Sequence, residues 1–180
     1  LVCGGFYAQS GPKPTLVIKD IHGKLQTPLM ARGMKPSVLF FITHDCPVAN
    51  KLAPEIRRII EGYRSKAQFT LVYADPEMTA AEVTTHQKEY NYTKLNTIHD
   101  LQHKLVKATG ATVTPEVVVT KPNGHIVYRG RINNFYEDFG KPRRVITHHD
   151  LRNALDALLT GKPVPKPRGK CIGCFIPKQK

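Results

Sequence analysis

The sequence predicts an α/β fold in which a mixed central β-sheet has helices on both faces. Two continuous apolar runs, residues 37–43 and 69–74, are typical of buried strands. Each run is followed by a segment with helical patterning. A β-hairpin is predicted over residues 113–129, because two apolar runs flank a turn at Asn123 and Gly124. Alternating strands and helices that end in an antiparallel pair indicate a mixed sheet.

The first predicted element is a small N-terminal β-hairpin. Residues 15–20 form one strand, a glycine turn follows, and residues 24–26 return. After the first buried strand, Pro47 suits the first turn of a helix. Pro54 lies inside the same helix and is expected to kink it.

Two further helices are predicted from capping-box patterns. Thr79 and Glu82 have the spacing in which a hydroxyl and a carboxylate cap each other's backbone amides. Thr147 and Asp150 show the same spacing before a helix over residues 151–159.

The remaining elements are short. Residues 95–98 are compatible with a short strand, and Asp100 is expected to cap a helix that Gly110 stops. Three apolar residues of that segment are expected to face inward: Leu101, Leu105 and Ala108. Residues 133–146 are expected to form an irregular basic and aromatic insertion.

The chain divides into three predicted segments. Residues 1–14 resemble the end of an apolar leader running into a linker, so we expect an exported protein, periplasmic or extracellular. Residues 15–160 form one globular domain. Residues 161–180 form a basic, proline-rich tail that is expected to be extended and ends in a Cys-x-x-Cys motif. No apolar run is long enough to span a bilayer.

The chain is strongly basic. Lys and Arg number 27 against 14 Asp and Glu, a net charge of +13. Such a balance fits nucleic acid, an anionic membrane surface or an acidic protein partner. The basic residues are spread along the chain, so no specific nucleic-acid site is predicted. Only residues 161–180 show a local concentration of basic residues, and they contain no acidic residue. We therefore consider an acidic protein as a candidate partner for this tail.

Cysteine chemistry is predicted to centre on Cys46. The chain has four cysteines, and Cys3 lies in the leader-like segment, so a processed form would hold three. Cys46 directly precedes Pro47, at the start of a predicted helix. The unpaired amides and the dipole of a helix N-terminus favour thiolate over thiol. The alternative is a buried, unreactive cysteine.

Several motifs resemble one known family. Cys46 and Pro47 follow a buried strand, Thr114 and Pro115 precede another, and residues 121–130 form a glycine-turn hairpin. In this order, with the N-terminal hairpin, they resemble the redoxin branch (alkyl hydroperoxide reductase and thiol-specific antioxidant) of the thioredoxin-like superfamily. The resemblance implies a thioredoxin-like fold over the globular segment, with an extended C-terminal tail.

The resemblance also implies roles for particular residues. Cys46 takes the place of the reactive cysteine. Pro115 takes the place of the cis-proline, whose loop faces that cysteine and presents backbone to a substrate peptide. Thr43 matches the threonine of the peroxiredoxin Thr-x-x-Cys motif, which helps to orient peroxide. Either Arg129 or Arg131 could serve as the arginine with which peroxiredoxins hold thiolate and peroxide.

Two departures from the family pattern affect the expected activity. Ala49 stands where a Cys-x-x-Cys motif would have its second cysteine, so this loop cannot form its own disulfide. Leu39 replaces the proline that peroxiredoxins carry four residues before the threonine. The leading hypothesis is a thiol oxidoreductase that exchanges disulfides or reduces peroxide, with antioxidant activity in the latter case. It needs no cofactor, but it needs a protein thiol, disulfide or peroxide substrate and an external reductant.

The tail cysteines provide a candidate partner for Cys46. The motif Cys171-Ile172-Gly173-Cys174 fits a redox pair better than zinc, because no second Cys-x-x-Cys completes a four-ligand site. A tail of about twenty residues, at ~3.1 Å per residue, is long enough to cross a small domain. We therefore expect Cys174 or Cys171 to reach Cys46 as a resolving thiol. The alternative is two surface thiols in a flexible terminus.

Two other functions remain open at this point. Cys46, Cys174 and His44 form a candidate copper site, because thiolate and imidazole ligands suit copper, and the chain would then be a metal-binding or delivery module. A non-catalytic interaction domain that docks through its basic tail is the third hypothesis.

Overall fold

The computed structural model describes residues 15–31 and 33–179, which fold around a five-stranded mixed sheet. In spatial order its strands are β5 (Asn96–His99), β4 (Gln68–Tyr73), β3 (Ser37–Ile42), β7 (Glu116–Thr120) and β8 (Ile126–Gly130). β3, β4 and β5 run parallel, whereas β7 is antiparallel to both β3 and β8. The predicted α/β class and the mixed sheet are confirmed.

In the described part of the chain, four helices cover the two faces of this sheet. They are α1 (Pro47–Tyr63), α2 (Ala80–Glu89), α3 (Lys104–Thr109) and α4 (Asp150–Leu159). Alternate side chains of β3 enter two separate cores. Phe40 packs in the core that contains buried residues of α1, α2 and α4, and Phe41 packs in the core with Leu105 of α3. This alternation follows from the two-residue period of a strand and explains why β3 is apolar throughout.

Among the described residues, three two-stranded pairs lie outside the central sheet. The first joins β1 (Ile18–Lys19) and β2 (Leu25–Gln26), and the second joins β9 (Tyr136–Asp138) and β10 (Lys141–Pro142). The third joins β6 (Val113–Thr114) and β11 (Cys174–Phe175). The first is the predicted N-terminal hairpin. The second lies within the insertion predicted over residues 133–146, which is otherwise irregular. The third was not predicted, because its two strands are distant in sequence and only the fold brings them together.

The structure confirms two of the predicted helix starts. At α2, the Glu82 amide donates to the Thr79 hydroxyl at 3.2 Å, and the Thr79 amide donates to the Glu82 carboxylate at 2.7 Å. At α3, the Asp100 carboxylate accepts from the first three amides of the helix, at 2.8, 2.8 and 3.0 Å. Gly110 ends α3 with a positive φ of 71°, as glycine tolerates.

The capping box predicted from Thr147 and Asp150 is wrong. His149 is the N-cap of α4, and no side chain caps it. The Thr147 hydroxyl instead accepts from the Asn134 side-chain amide at 2.7 Å, and Asp150 pairs with Arg131 at 2.8 Å. Partners from another segment of the chain have replaced the local ones.

Two further details concern the predicted helices. Of the three apolar residues expected to face inward near α3, Leu105 is buried, but Leu101 and Ala108 are exposed. α3 has only six residues and begins after Leu101, so its buried stripe is too short to include all three. α1 continues through Pro54 for 17 residues.

The domain boundaries remain predictions. Residues 1–14, with Cys3 and the expected leader, lie outside the described residues. None of the helices in the described part of the chain has the length and apolar character needed to cross a membrane.

Candidate active site

Cys46 lies at the junction between the central strand β3 and helix α1. It is the N-cap of α1, with extended backbone angles (φ −77°, ψ 107°), and Pro47 occupies the start of the helix. Its carbonyl accepts from the Asn50 amide at 3.0 Å, which fixes the first turn. The Cys46 side chain is fully buried, at 0% exposure. A helix N-terminus therefore holds this thiol below the surface.

The loop before β7 faces Cys46. The Cys46 Sγ–H donates to the Thr114 carbonyl oxygen at 3.0 Å, and the Thr114–Pro115 peptide bond is cis. The Thr43 hydroxyl oxygen lies 3.4 Å from that of Thr114. The structure thus brings Cys46, Thr43 and Pro115 together, as the resemblance implied, and their catalytic roles remain predictions. Thr114 contacts Cys46 and Thr43 and precedes Pro115, and the sequence analysis predicted no contact for it.

The C-terminal tail crosses the domain beside β8 and reaches this loop. The Arg129 amide donates to the Pro167 carbonyl at 2.9 Å, and the Gly169 amide donates to the Arg129 carbonyl at 3.1 Å. Further on, β11 pairs antiparallel with β6, and the Ile176 amide donates to the Thr112 carbonyl at 3.0 Å. Backbone hydrogen bonds thus guide the tail to the loop that faces Cys46.

Cys174 is the tail cysteine that meets Cys46. It lies opposite Thr114 in the β6–β11 pair, the residue whose carbonyl accepts the Cys46 S–H, and it packs against the core that contains Cys46. Burial, followed by the influence of Cys46 and of Asp45, raises the pKa of Cys174 to about 12. Near neutral pH, Cys174 is therefore a protonated thiol.

Cys171 has a different environment. Its Sγ lies 3.8 Å from the Gly169 carbonyl oxygen, beside the charged residues of β7 and β8. Burial and the Glu116 carboxylate raise its pKa to about 12, while Arg129 and Arg131 oppose that shift. Cys46, Cys171 and Cys174 are all free thiols in this structure. Of the two candidate resolving thiols, Cys174 is the one that contacts Cys46.

Gly173 determines how closely the tail approaches the loop. A Cβ atom at this position would overlap the Thr114 carbonyl oxygen and would lie 3.3 Å from the Pro115 nitrogen. The sequence analysis assigned no role to Gly173. A glycine just before a cysteine in an extended segment was the available signal, because such glycines permit close backbone approach.

His44 is near Cys46 in sequence but belongs to another cluster. Its Nε2 lies 4.0 Å from a Glu82 carboxylate oxygen. His44, Asp45 and Asp75 each offer one atom that could bind a metal ion, and these three atoms lie within 4.8 Å of one another. Within residues 15–31 and 33–179, no such group of three includes a cysteine. The structure therefore does not bring His44 to the thiol pair, and the copper alternative stays a prediction.

The two arginines considered for peroxide binding are held by acidic residues. Arg129 Nε lies 3.4 Å from a Glu116 carboxylate oxygen, and one of its terminal nitrogens donates to the Gly110 carbonyl at 2.6 Å. Arg131 Nε lies 2.8 Å from a carboxylate oxygen of Asp150. These contacts fix both guanidinium groups at the end of β8.

The sequence matches a family model over the same region. The model is that of the AhpC/TSA family, and the match covers residues 11–129. The chain belongs to the AhpC/TSA family. The matched region includes Cys46 and Pro115, and the resemblance to redoxins is confirmed. The tail cysteines lie beyond it.

Solved structures show the same fold. An uncharacterized conserved protein from Geobacillus kaustophilus is 25% identical, with 92% of this chain and 89% of that chain covered and a TM-score of 0.77. A hypothetical protein from Sinorhizobium meliloti is 26% identical, with 89% of each chain covered and a TM-score of 0.76.

A secreted disulfide oxidoreductase from Mycobacterium tuberculosis shares the fold at lower similarity. It is 18% identical, with 62% of this chain and 80% of that chain covered and a TM-score of 0.52. The comparison with curated proteins finds no match. The fold is therefore thioredoxin-like, of the type found in thiol–disulfide oxidoreductases.

Proposed function

We propose that this chain is a thiol–disulfide oxidoreductase in which Cys46 is the attacking thiol and Cys174 the resolving thiol. The observation that carries the proposal is the position of Cys174 opposite Thr114, whose carbonyl oxygen accepts the Cys46 S–H at 3.0 Å, so that two cysteines 128 positions apart in the sequence meet at one residue. The family and the fold support thiol chemistry in general. The contact with the tail supports this particular pair.

The reaction has two exchange steps. The Cys46 thiolate attacks one sulfur of a substrate disulfide, forms a mixed disulfide and releases the other substrate sulfur as a thiolate. The Cys174 thiolate then attacks the Cys46 sulfur, which releases the second substrate thiol and leaves a Cys46–Cys174 disulfide. Two electrons pass from the cysteine pair to the substrate. An external dithiol reductant, itself oxidised to a disulfide, restores the two thiols.

The surroundings of each thiol fit its proposed step. Cys46 is the N-cap residue of α1, at the end of the helix where the dipole favours negative charge, although its side chain accepts no amide hydrogen bond there. In the resting state Cys174 is a protonated thiol because of burial first and the influence of Cys46 second. The influence of Cys46 ends once it is part of a mixed disulfide, which favours the Cys174 thiolate in the second step, whereas burial still raises the pKa of Cys174.

The arginine contacts favour a disulfide substrate over peroxide. Peroxide reduction of the peroxiredoxin type uses an arginine beside the reactive thiol. Arg129 and Arg131 are instead paired with Glu116 and Asp150. We therefore propose a protein disulfide as the substrate. Peroxide reduction is the alternative, and treatment with hydrogen peroxide tests it below.

The proposed place of action is outside the cytoplasm. The leader-like residues 1–14 support export. A protein of the same fold is described as a secreted disulfide oxidoreductase, which is consistent with this location. Protein disulfides persist in such oxidising compartments, where a thiol pair of this kind would find substrates.

A matched pair of cysteine variants tests the mechanism. Reduced protein is treated with a peptide disulfide, quenched with acid and mapped by peptide mass spectrometry. We expect wild-type protein and the control Cys171→Ser to accumulate a Cys46–Cys174 bridge. Cys174→Ser should stop at the mixed disulfide on Cys46, and Cys46→Ser should not react at a comparable rate.

Two results would contradict the proposal. One is a Cys171–Cys174 bridge that forms as fast in Cys46→Ser as in wild-type protein, which would make the tail motif the redox centre. The other is a Cys46 that ignores the peptide disulfide but is converted to sulfenic acid by hydrogen peroxide, which would assign peroxide reduction.

A further inference from the structure

The backbone of residues 112–114, here called the docking edge, accepts a strand directly beside Cys46. In this structure the chain's own tail is that strand. The pairing is antiparallel, with Cys174 opposite Thr114 and Phe175 opposite Val113. Backbone pairing of this kind binds an extended segment through main-chain groups that any sequence can provide. Selectivity must therefore come from the side chains at the contact.

Gly173 supplies that selectivity. A side chain at this position would overlap the carbonyl oxygen of Thr114, a backbone atom that cannot move aside as a flexible side chain can. The next residue, Cys174, is then held against Cys46. The docking edge thus fits a glycine followed immediately by a cysteine, and larger residues at the first position are excluded by backbone contact.

The docked tail also blocks access to Cys46. The Cys46 side chain has no exposed surface, and its S–H donates to Thr114, a contact that only the protonated thiol makes. Phe175, next to the docked cysteine, is 84% exposed and so adds little to the binding of the tail. With the tail on the docking edge, Cys46 is therefore not accessible to an external disulfide, and departure of the tail is the change that the proposal below requires.

The resemblance already implies that this loop presents backbone to a substrate peptide; we propose that the docking edge selects, among external protein segments, those in which glycine immediately precedes the reactive cysteine. The tail occupies this site in the substrate's place and returns to it when Cys174 resolves the mixed disulfide. The proposal rests on the proposed function of Cys46. It adds the recognition element that the substrate must carry.

Two glycine variants separate docking from general effects on the tail. Gly173→Ala introduces the overlap with Thr114 and should release β11. Gly169→Ala is the matched control, because a Cβ there would meet only the Gly130 Cα at 3.9 Å and the Tyr128 hydroxyl at 4.0 Å, ordinary contact distances. Both variants also carry Cys174→Ser, so that a mixed disulfide on Cys46 is not resolved.

The probes are two peptides, acetyl-Ile-Gly-Cys-Phe-Ile-amide and acetyl-Ile-Ala-Cys-Phe-Ile-amide, each supplied as its symmetrical disulfide. The rate of mixed-disulfide formation on Cys46 is followed by mass spectrometry. With Gly173→Ala/Cys174→Ser, we expect the glycine peptide to react at least tenfold faster than the alanine peptide. With Gly169→Ala/Cys174→Ser, the docked tail should slow the glycine peptide about tenfold or more.

Equal rates for the two peptides would overturn the proposal, and so would equal rates for the two protein variants. If Gly173→Ala does not fold, as judged by circular dichroism, the single variant Cys174→Ser supplies the same comparison of peptides at lower rates. A small disulfide, hydroxyethyl disulfide, shows whether a negative result refutes the docking proposal alone or also the proposed function. A Cys46 that reacts with this small disulfide but does not discriminate between peptides refutes only the docking proposal. A Cys46 that reacts with neither refutes the proposed function.

Discussion

The pKa of Cys174 gives the exchange mechanism a distinctive pH dependence. In the resting pair of thiols that pKa is raised to about 12, and burial, its largest cause, does not depend on a free Cys46 thiol and so also acts in the mixed disulfide. Below its pKa, the thiolate fraction of a cysteine grows about tenfold per pH unit, and the thiolate is the species that attacks. A resolving step that depends on Cys174 therefore accelerates as the pH rises.

We expect the rate of resolution to increase up to about tenfold per pH unit between pH 7 and 9. The measurement is stopped-flow release of the second substrate thiol from a preformed mixed disulfide on Cys46. Cys171→Ser should show the same profile, since Cys171 does not contact Cys46. A rate independent of pH would mean that another group resolves the intermediate.

His86 gives the folded protein a separate sensitivity to acid. Its imidazole nitrogens lie 2.7 Å from the Tyr73 hydroxyl oxygen and 2.8 Å from the Asn50 side-chain oxygen. Burial, with a smaller effect from His44, lowers the pKa of His86 to about 4. Because an unfolded histidine has a pKa near about 6.5, the unfolded state binds the proton more readily.

The free energy of unfolding should therefore fall as the pH drops from about 6.5 to about 4, by about 1 kcal/mol per pH unit attributable to His86. Above this range His86 is neutral in both the folded and the unfolded protein, so its contribution to the free energy of unfolding does not change with pH. Urea denaturation at several pH values measures the slope. His86→Gln should reduce the slope, and an unchanged slope would show that other groups control acid stability.

At the scale of elements, helix α3 depends on one side chain that lies outside it. The Asp100 carboxylate accepts three amide hydrogen bonds from a helix of only six residues. A helix this short is not stable by itself, so its start must be fixed by tertiary structure or capping.

We expect Asp100→Ala to lower the free energy of unfolding by about 2 to 4 kcal/mol, because several buried amides lose their acceptor. Thr79→Ala at α2 is the comparison, since its hydroxyl accepts one amide and should contribute about 1 kcal/mol. Chemical denaturation of both variants gives the two values. Equal losses would show that water replaces the Asp100 carboxylate.

The elements also show where local sequence patterns are sufficient. The strands of the central sheet and the capping box of α2 were predicted because their signals, apolar runs and cap spacing, act over a few residues. The helix α4 was predicted to within one residue, but its capping box was predicted wrongly because Thr147 and Asp150 bind Asn134 and Arg131 instead. A local pattern cannot show that a distant residue competes for the same side chain.

At the scale of the whole molecule, a Cys46–Cys174 bridge would join the start of α1 to the C-terminal tail. The closed loop would exceed one hundred residues, and the chain-entropy model gives about 4 to 5 kcal/mol for a loop of that size. Because Thr114 accepts the Cys46 S–H and pairs with Cys174, the folded state already brings the two cysteines to one place.

We expect oxidised wild-type protein to unfold at a higher denaturant concentration than reduced protein, by an amount that corresponds to about 4 kcal/mol. Cys171→Ser should keep this difference and Cys174→Ser should abolish it. A difference that persists in Cys174→Ser would assign the bridge to another cysteine pair.

The sequence by itself determined the α/β class, the order of the main elements and the position of Cys46 at a helix start. Apolar periodicity, turn residues and caps encode these features locally. It also showed that the loop around Cys46 lacks a second cysteine and that the tail is long enough to supply one. It left Cys171 and Cys174 as equal candidates.

Only the tertiary structure decided that Cys174 meets Cys46. That choice depends on the register of β11 on β6 and on the close approach of Gly173 to Thr114, contacts between segments about 60 residues apart. Strand register across such a distance is set by the fit of backbone and side chains in the folded protein. No pattern within the tail alone contains that information.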